Sequence, residues 1–169
     1  MRKVVSNTTP LIGLADIGCF DVLKKLYEEI MIPTAVLEEV KSEPARTLVR
    51  NSGFIHVYPV KFNHSHKMLS SRLHAGEVEV MLLAEEKQAD LLIMDDNAAK
   101  KTAKFLGFKV TGTLGVLLKA KKEGHINEIK PLVERVPPFF VYRKNRTVKR
   151  ETVRHRLTYT IKPPTFLFR

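Results

Sequence analysis

"HAGEVEVMLLAEEKQADLLIMDDNAAKKTAKFLGFKVTG", residues 74–112, changes its hydrophobic period repeatedly, and those changes decide the fold class. From Val78 to Ala84 the side chains are apolar nearly all round except at Glu79, the pattern of a deeply buried helix. "DLLIMDD" (90–96) is a short apolar run that closes on two aspartates, as a buried strand would. "NAAKKTAKFLG" (97–107) returns to helical spacing with Asn97 near its cap, and "FKVTG" (108–112) reads as a second short strand. Short apolar strands alternating with helices predict a parallel sheet covered on both faces.

Working outward, the same alternation continues. "KVVSN" (3–7) is a β-branched strand that stops on Asn7, Thr8, Thr9 and Pro10, residues suited to turns and caps rather than to packing. Thr9 is a good N-cap, Pro10 suits a first helical position, and Gly18 a helix stop. A small helix, "FDVLKKLY" (20–27), leads to a strand in "EEIMIP" (28–33), and "TAVLEEVK" (34–41) resumes helical spacing from Pro33 or Thr34. "FIHVYPV" (54–60) alternates well enough for a strand near a sheet edge. "NHSHKMLSS" (63–71) reads as loop and short helix, and "TLGVLLKAKKEG" (113–124) as another helix. No internal repeat is evident, and beyond "VERVPPFFVY" (133–142) the pattern decays.

The length of 169 residues suits one domain with a real core, and a hydrophobic fraction of 44% is ordinary for a globular protein. No apolar run reaches the roughly 18 residues that span a bilayer, so no membrane partner is expected. The start, "MRKVV", is basic then apolar, but "SNTT" interrupts it before a signal-peptide core could form. Cys19 is the single cysteine, which excludes an internal disulfide and points to a reducing cytoplasm; its plainest role is that of a small buried hydrophobe. The net charge of +11 is unevenly spread. Residues 142–169 hold nine Lys or Arg against the one acid Glu151, a net of +8, which leaves +3 for the other 141. The expected organisation is therefore a folded domain over 1–141 and a loosely attached basic extension over 142–169.

In open parallel sheets, ligands bind beyond the carboxyl ends of the strands, where the strand order reverses. Polar groups fall at such ends: Asn7, Thr8 and Thr9 after the first strand, Asp95 and Asp96 after the fourth, and Thr111 to Thr113 after the fifth. Two further acids lie on nearby helices, Glu38 or Glu39 and Glu77. Glu77 and Glu79 are two apart, so they face different ways. Glu77 shares the inward row with Met81 and Ala84 and is the preferred member. Carboxylates gathered without histidine form the oxygen donor set of Mg²⁺ or Mn²⁺.

"VVSNTTPLIGLADIG", "IPTAVLEEV" and the stretch from His74 to Gly124 together resemble the PIN-domain superfamily, closest to its branch related to the toxin nucleases of toxin–antitoxin pairs. The resemblance covers roughly residues 3 to 135, and its "GE-x-E" helix and "DD-x-x-A" turn are specific in combination though weak singly. It implies a three-layer α/β/α sandwich with a mainly parallel sheet of about five strands, and a metal-dependent ribonuclease holding Mg²⁺ or Mn²⁺. Carried across residue by residue, it places Asn7, Glu39, Glu77 and Asp96 at the metal, with Asp95 able to replace its neighbour. Glu39, Glu77, Asp96 and Asp95 are then the catalytic acids, supported by the hydroxyls of Thr8 or Thr9 and by Thr111. Implied partners are RNA, an antitoxin-like protein and a second copy, with apolar residues of "DVLKKLYEEIMI" (21–32) as the candidate dimer patch. The chain departs from the pattern at Asn7, where an amide stands in place of the first acid and supplies a carbonyl oxygen but no charge.

Other readings are weaker. A phospho-receiver needs its acidic pair after the first strand, and here it follows the fourth. "GTLG" (112–115) lacks the spacing of a dinucleotide fold. His64, His66 and His74 are irregularly spaced in polar sequence, unlike metal ligands. The rival in earnest is a non-catalytic module binding RNA or a protein, suggested by Asn7 and by the basic tail, where Arg143, Lys144, Arg146, Lys149 and Arg150 are candidate RNA-binding residues.

Overall fold

The computed structural model describes residues 2–61 and 73–135. Five strands form one sheet: β1 (Val4–Ser6), β2 (Ile30–Pro33), β3 (Ile55–Tyr58), β4 (Leu91–Ile93) and β5 (Val110–Thr111). The order is β3-β2-β1-β4-β5 and every neighbouring pair is parallel. Eight helices are found among the described residues: α1 (Thr8–Asp16), α2 (Asp21–Tyr27), α3 (Thr34–Glu39), α4 (Ala45–Asn51), α5 (Ala75–Lys87), α6 (Asn97–Phe105), α7 (Thr113–Lys122) and α8 (Lys130–Arg135). The architecture is a three-layer α/β/α sandwich. α5 packs on β1, β2 and α3, while α2 and α7 pack on one another.

Burial explains the short strands. Val4, Val5, Ser6, Leu91, Leu92 and Ile93 are all buried, as parallel strands covered on both faces must be. On β3 the pattern loosens, with Val57 exposed, in keeping with its edge place. In α5 every residue from Gly76 to Ala84 is buried, including two glutamates, so this helix has no polar face until Glu85. Fully buried leucines such as Leu14, Leu83 and Leu92 are sites where truncation to alanine costs about 2–5 kcal/mol.

The chain runs β1 to β2 to β3 in one direction, then returns across the sheet to β4 beside β1. The reversal falls between β1 and β4, which pair with Val4, Val5 and Ser6 opposite Leu91, Leu92 and Ile93. One more rung, from Asn7 N–H to the Ile93 carbonyl (2.8 Å), closes this seam. Beyond it stand Asn7 on one strand and Met94, Asp95 and Asp96 on the other.

Three readings of the sequence need correction. The N-cap of α1 is Asn7, not Thr9: the last rung of the sheet holds Asn7 extended, and its Oδ1 accepts from Thr8 N–H (2.8 Å). Pro10 consequently falls within the first helical turn, where its missing N–H is still no loss. α4 was not foreseen from sequence, because its seven residues bury only Ala45 and Val49 and so leave little periodic signal. The stretch 21–32 is not an exposed apolar patch: Val22, Leu23, Tyr27, Ile30 and Ile32 are core residues, and Leu26 and Met31 pack against them. The loop and helix read into residues 63–71 lie outside the described residues.

Candidate active site

The two sides of the β1–β4 seam present different chemistry. On the first, Asn7 and Thr8 are buried at 5% and 7% exposure, and Thr9 sits half-buried in the first turn of α1. Thr8 Oγ1 donates to Glu39 Oε2 (2.5 Å), which ties the end of α3 to the start of α1. Glu39 is itself exposed, and its carboxylate lies against Gly76 of α5. A Cβ at Gly76 would meet Glu39 Oε1 and stand 3.0 Å from Oε2, so only glycine leaves this seat open.

Glu77 follows Gly76 and is buried, with Oε2 accepting from His74 N–H (3.2 Å) at the start of α5. Glu79 is equally buried, but it faces the N-terminus of α3, where Oε2 accepts from Ala35 N–H (3.3 Å). The two acids therefore diverge, and Glu79 serves as a cap for a helix that has no capping side chain of its own. Glu38, the neighbour of Glu39, is exposed.

On the other side of the seam the two aspartates separate in role. Asp96 is the N-cap of α6, with Oδ1 accepting from Ala98 N–H (2.8 Å) and Ala99 N–H (3.0 Å). Asp95 turns toward α7: Oδ1 accepts from Thr113 N–H (2.9 Å) and Oδ2 from Thr113 Oγ1 (2.5 Å). Lys100 Nζ stands 3.9 Å from Asp95 Oδ1, a cation that the sequence reading had left out of the site. Its signal was present in the sequence, since a lysine in the first turns of a helix opened by acids can fold back toward them. Burial pushes the Asp95 carboxyl above its ordinary range, and the Thr113 bonds and Lys100 offset part of that rise. Gly112 makes the pair possible: a Cβ there would stand 2.5 Å from Asp95 Oδ1, 2.8 Å from Lys100 Nζ and 3.2 Å from the Met94 carbonyl oxygen. Thr111, on β5, faces Gly115, where a Cβ would collide with its Oγ1.

Thus Thr8, Glu39 and Gly76 form one cluster, and Asp95, Lys100, Gly112 and Thr113 another. The donors are oxygens throughout, as a hard divalent cation takes. Among the described residues, however, no three His, Cys, Asp or Glu side chains form a group able to hold a metal ion. Glu39, Glu77, Asp95 and Asp96 each accept from a different protein donor, Thr8, His74, Thr113 and the first turn of α6. His64 and His66, and Arg143, Lys144, Arg146, Lys149 and Arg150, lie outside the described residues.

Comparison with known proteins bears on this arrangement. A solved structure of a PilT N-terminus domain protein from the hyperthermophilic archaeon Sulfolobus solfataricus P2 is similar at 19% identity, over 70% of this chain and 92% of that one, with a TM-score of 0.43. No curated protein matches. No described helix is long and apolar enough to cross a membrane. The family model described as PIN domain (DUF3368) matches residues 3–154, through the whole described fold and into the basic segment. The chain belongs to this PIN-domain family, whose members are generally nucleases and typically depend on divalent metal ions.

Proposed function

We propose that the protein is a ribonuclease of PIN type that hydrolyses RNA phosphodiesters at the β1–β4 seam, with Mg²⁺ or Mn²⁺ as cofactor. The observation that carries the reading is the pair of carboxylates, Glu39 and Asp95, each held by a threonine hydroxyl beyond the strand ends, the second beside a lysine. Glu39, Glu77 and Asp95 would hold the ion, with the Asn7 carbonyl oxygen as a neutral ligand. The donor set fits in kind. In arrangement it requires carboxylates to exchange their present donors for the ion, and Asn7 adds no charge to draw it in. When bound, such an ion supplies an activated water and neutralises charge on the phosphate.

The chain's own residues have separable tasks. Glu39 is the exposed acid, so its carboxylate is the group placed to take a proton from an attacking water. Lys100 offers a positive charge to a phosphate oxygen next to Asp95. Thr113 fixes the Asp95 carboxylate through both oxygens, so that acid is held in one orientation. Of the aspartate pair we assign the reaction to Asp95, and to Asp96 the opening of α6. Attack by water would leave the phosphate on one of the two products.

A second reading has its own support. Neutral Asn7, used as a cap, together with acids that all accept from protein donors, also suits a non-catalytic module binding RNA or a protein such as an antitoxin. The deciding experiment is cleavage of single-stranded and of structured RNA across a Mn²⁺ titration, beside the Asp95→Asn variant. Metal-dependent cleavage abolished by the variant supports the nuclease. RNA binding without cleavage at any metal concentration supports the module. A toxin-like role, a cytoplasmic setting and pairing with a second copy belong to the same proposal, and light scattering at high micromolar concentration tests the last.

A further inference from the structure

We propose that α6 is a track for single-stranded RNA, running from the acids of the seam to an exposed aromatic platform at Phe105. Phe105 is 89% exposed, far more than Val57, Leu106 or Leu118, the other exposed large hydrophobics among the described residues. It contributes nothing to holding its helix, which buries only Ala99 and Ala103. An aromatic left almost wholly in water at a helix end is a face available to a base, and stacking is indifferent to base identity.

The charge around it fits a polyanion. From Asn97 to Lys109 there are four lysines, Lys100, Lys101, Lys104 and Lys109, and no acid. Lys101 and Phe105 are four apart and share a face of α6, and Lys101, Lys104 and Lys109 are all exposed. Lys100, one turn before Lys104 on the same side of α6, reaches Asp95, so a single helix joins that carboxylate to the basic and aromatic stripe. The nine residues of α6 span about 13 Å. That is the length of about four stacked nucleotides at roughly 3.4 Å each. Phosphates along Lys101 and Lys104 and a base on Phe105 would then lead the strand to the seam.

A protein occupant is the competing possibility. A cavity of about 300 Å³, lined by Met81, Leu82, Leu106 and Phe108 among others, opens beside the same surface, and Glu85 on its wall would repel RNA. The uninterrupted lysines of α6 favour RNA as the occupant of the Phe105 face, and the protein occupant is an outcome of the test.

The inference rests on the ribonuclease reading for RNA as the ligand, and its test is made independent of cleavage. Affinity of the full chain for a fluorescent, unstructured RNA of about twelve nucleotides is measured by anisotropy in EDTA. Phe105→Ala should weaken binding about tenfold, and Phe105→Trp should restore it, since any aromatic offers a stacking face. The same RNA annealed into a duplex should bind both proteins alike, because its bases are not free to stack. Lys101→Ala with Lys104→Ala should weaken both and lower the salt slope by about 1.4, at about 0.7 per phosphate contact. Thermal melts confirm that each variant is folded. Unchanged single-strand affinity in Phe105→Ala overturns the track, as does a loss of self-association in that variant with RNA affinity intact. If binding follows Phe105 but Mn²⁺ never elicits cleavage, the nuclease fails and the track stands. If cleavage occurs and Phe105 is neutral, the reverse holds.

Discussion

Glu39 and Asp95 stand beyond the ends of strands of the same sheet, each against a glycine and each accepting from a threonine hydroxyl, yet the protein treats them oppositely. Glu39 is exposed, takes one hydroxyl, and has open space around much of its length. Asp95 is half-buried with its side chain only 9% exposed, takes an N–H and a hydroxyl from Thr113, and shares its surroundings with Lys100 and the Met94 carbonyl. The difference teaches that one acid is free to move toward a ligand while the other is fixed and partly neutralised in advance. A site of this kind has a rigid half and an adjustable half, and substitutions on the two sides should fail differently.

The largest effect should come from the fixed acid. Asp95→Asn keeps the shape and a carbonyl oxygen for Thr113 N–H but removes the charge, so cleavage should fall at least about a hundredfold. Asp96→Asn, a swap between two equivalent caps, should leave cleavage and melting nearly unchanged. Equal losses from the two would erase the division drawn here. Stability carries a sign of its own. Because the folded value of Asp95 is raised, its contribution is fully present below the unfolded pKa of about 3.9 and is lost as pH rises through the folded value. Asp95→Asn lacks that loss, so relative to the parent its stability should increase from acid toward neutral pH in chemical denaturation.

What could be read from the sequence follows the same line between fixed and adjustable parts. α5, β4 and α6 announced themselves because their residues are buried or capped in ways that leave a period, and Gly18 marked its helix end through a positive φ of 71°. The seam residues were legible as strand-end polar groups. Which of Asp95 and Asp96 caps α6 was not, since both follow one short strand and only the register of α6 decides it. Gly112 was missed because its closeness to Asp95 depends on β4 pairing with β5, a register that joins residues 18 apart such as Leu92 and Val110 and that no local pattern encodes. The buried stretch 21–32 was misread for the converse reason: α7, far along the chain, covers α2.

Next in size is the glycine on the rigid side. Gly112→Ala places a methyl 2.5 Å from Asp95 Oδ1 and 3.2 Å from a backbone oxygen that has little freedom to withdraw. Its backbone is extended (φ −127°), so the strain is steric and not conformational. The expected cost is about 1–3 kcal/mol, read as a lower melting temperature, with the Asp95–Lys100 pair displaced.

Gly76→Ala is its mirror on the adjustable side. The methyl meets only the end of the exposed Glu39 side chain, which can swing into solvent. Alanine is the better helix former, so stability should hold or gain up to about 0.5–1 kcal/mol. Cleavage should nevertheless drop, since Glu39 leaves its seat beside Thr8. A melt lowered as much as in Gly112→Ala would show both halves to be equally rigid.

The smallest change in the metal-free protein is expected from Asn7→Asp, and it probes the seam between the halves. Asp caps a helix as well as Asn, the bond from Thr8 N–H survives, and the N-terminus of α1 favours a negative charge. Against this stand burial at 5% exposure and the Glu39 carboxylate reached through Thr8. These terms oppose one another, so the melting midpoint without metal should move by no more than about 0.5 kcal/mol in equivalent stability. With Mn²⁺ the balance tips, because a carboxylate replaces a neutral ligand and the ion relieves the repulsion it creates. A tenfold tighter site adds about 1.4 kcal/mol of stabilisation once metal is in excess. The measurement is the Mn²⁺-induced shift in melting for parent and variant, with Mg²⁺ in parallel. A larger shift in Asn7→Asp, accompanied by faster cleavage, identifies Asn7 as a ligand position short of one charge. Identical shifts leave it as the cap of α1 alone, and the adjustable half of the site then begins at Glu39.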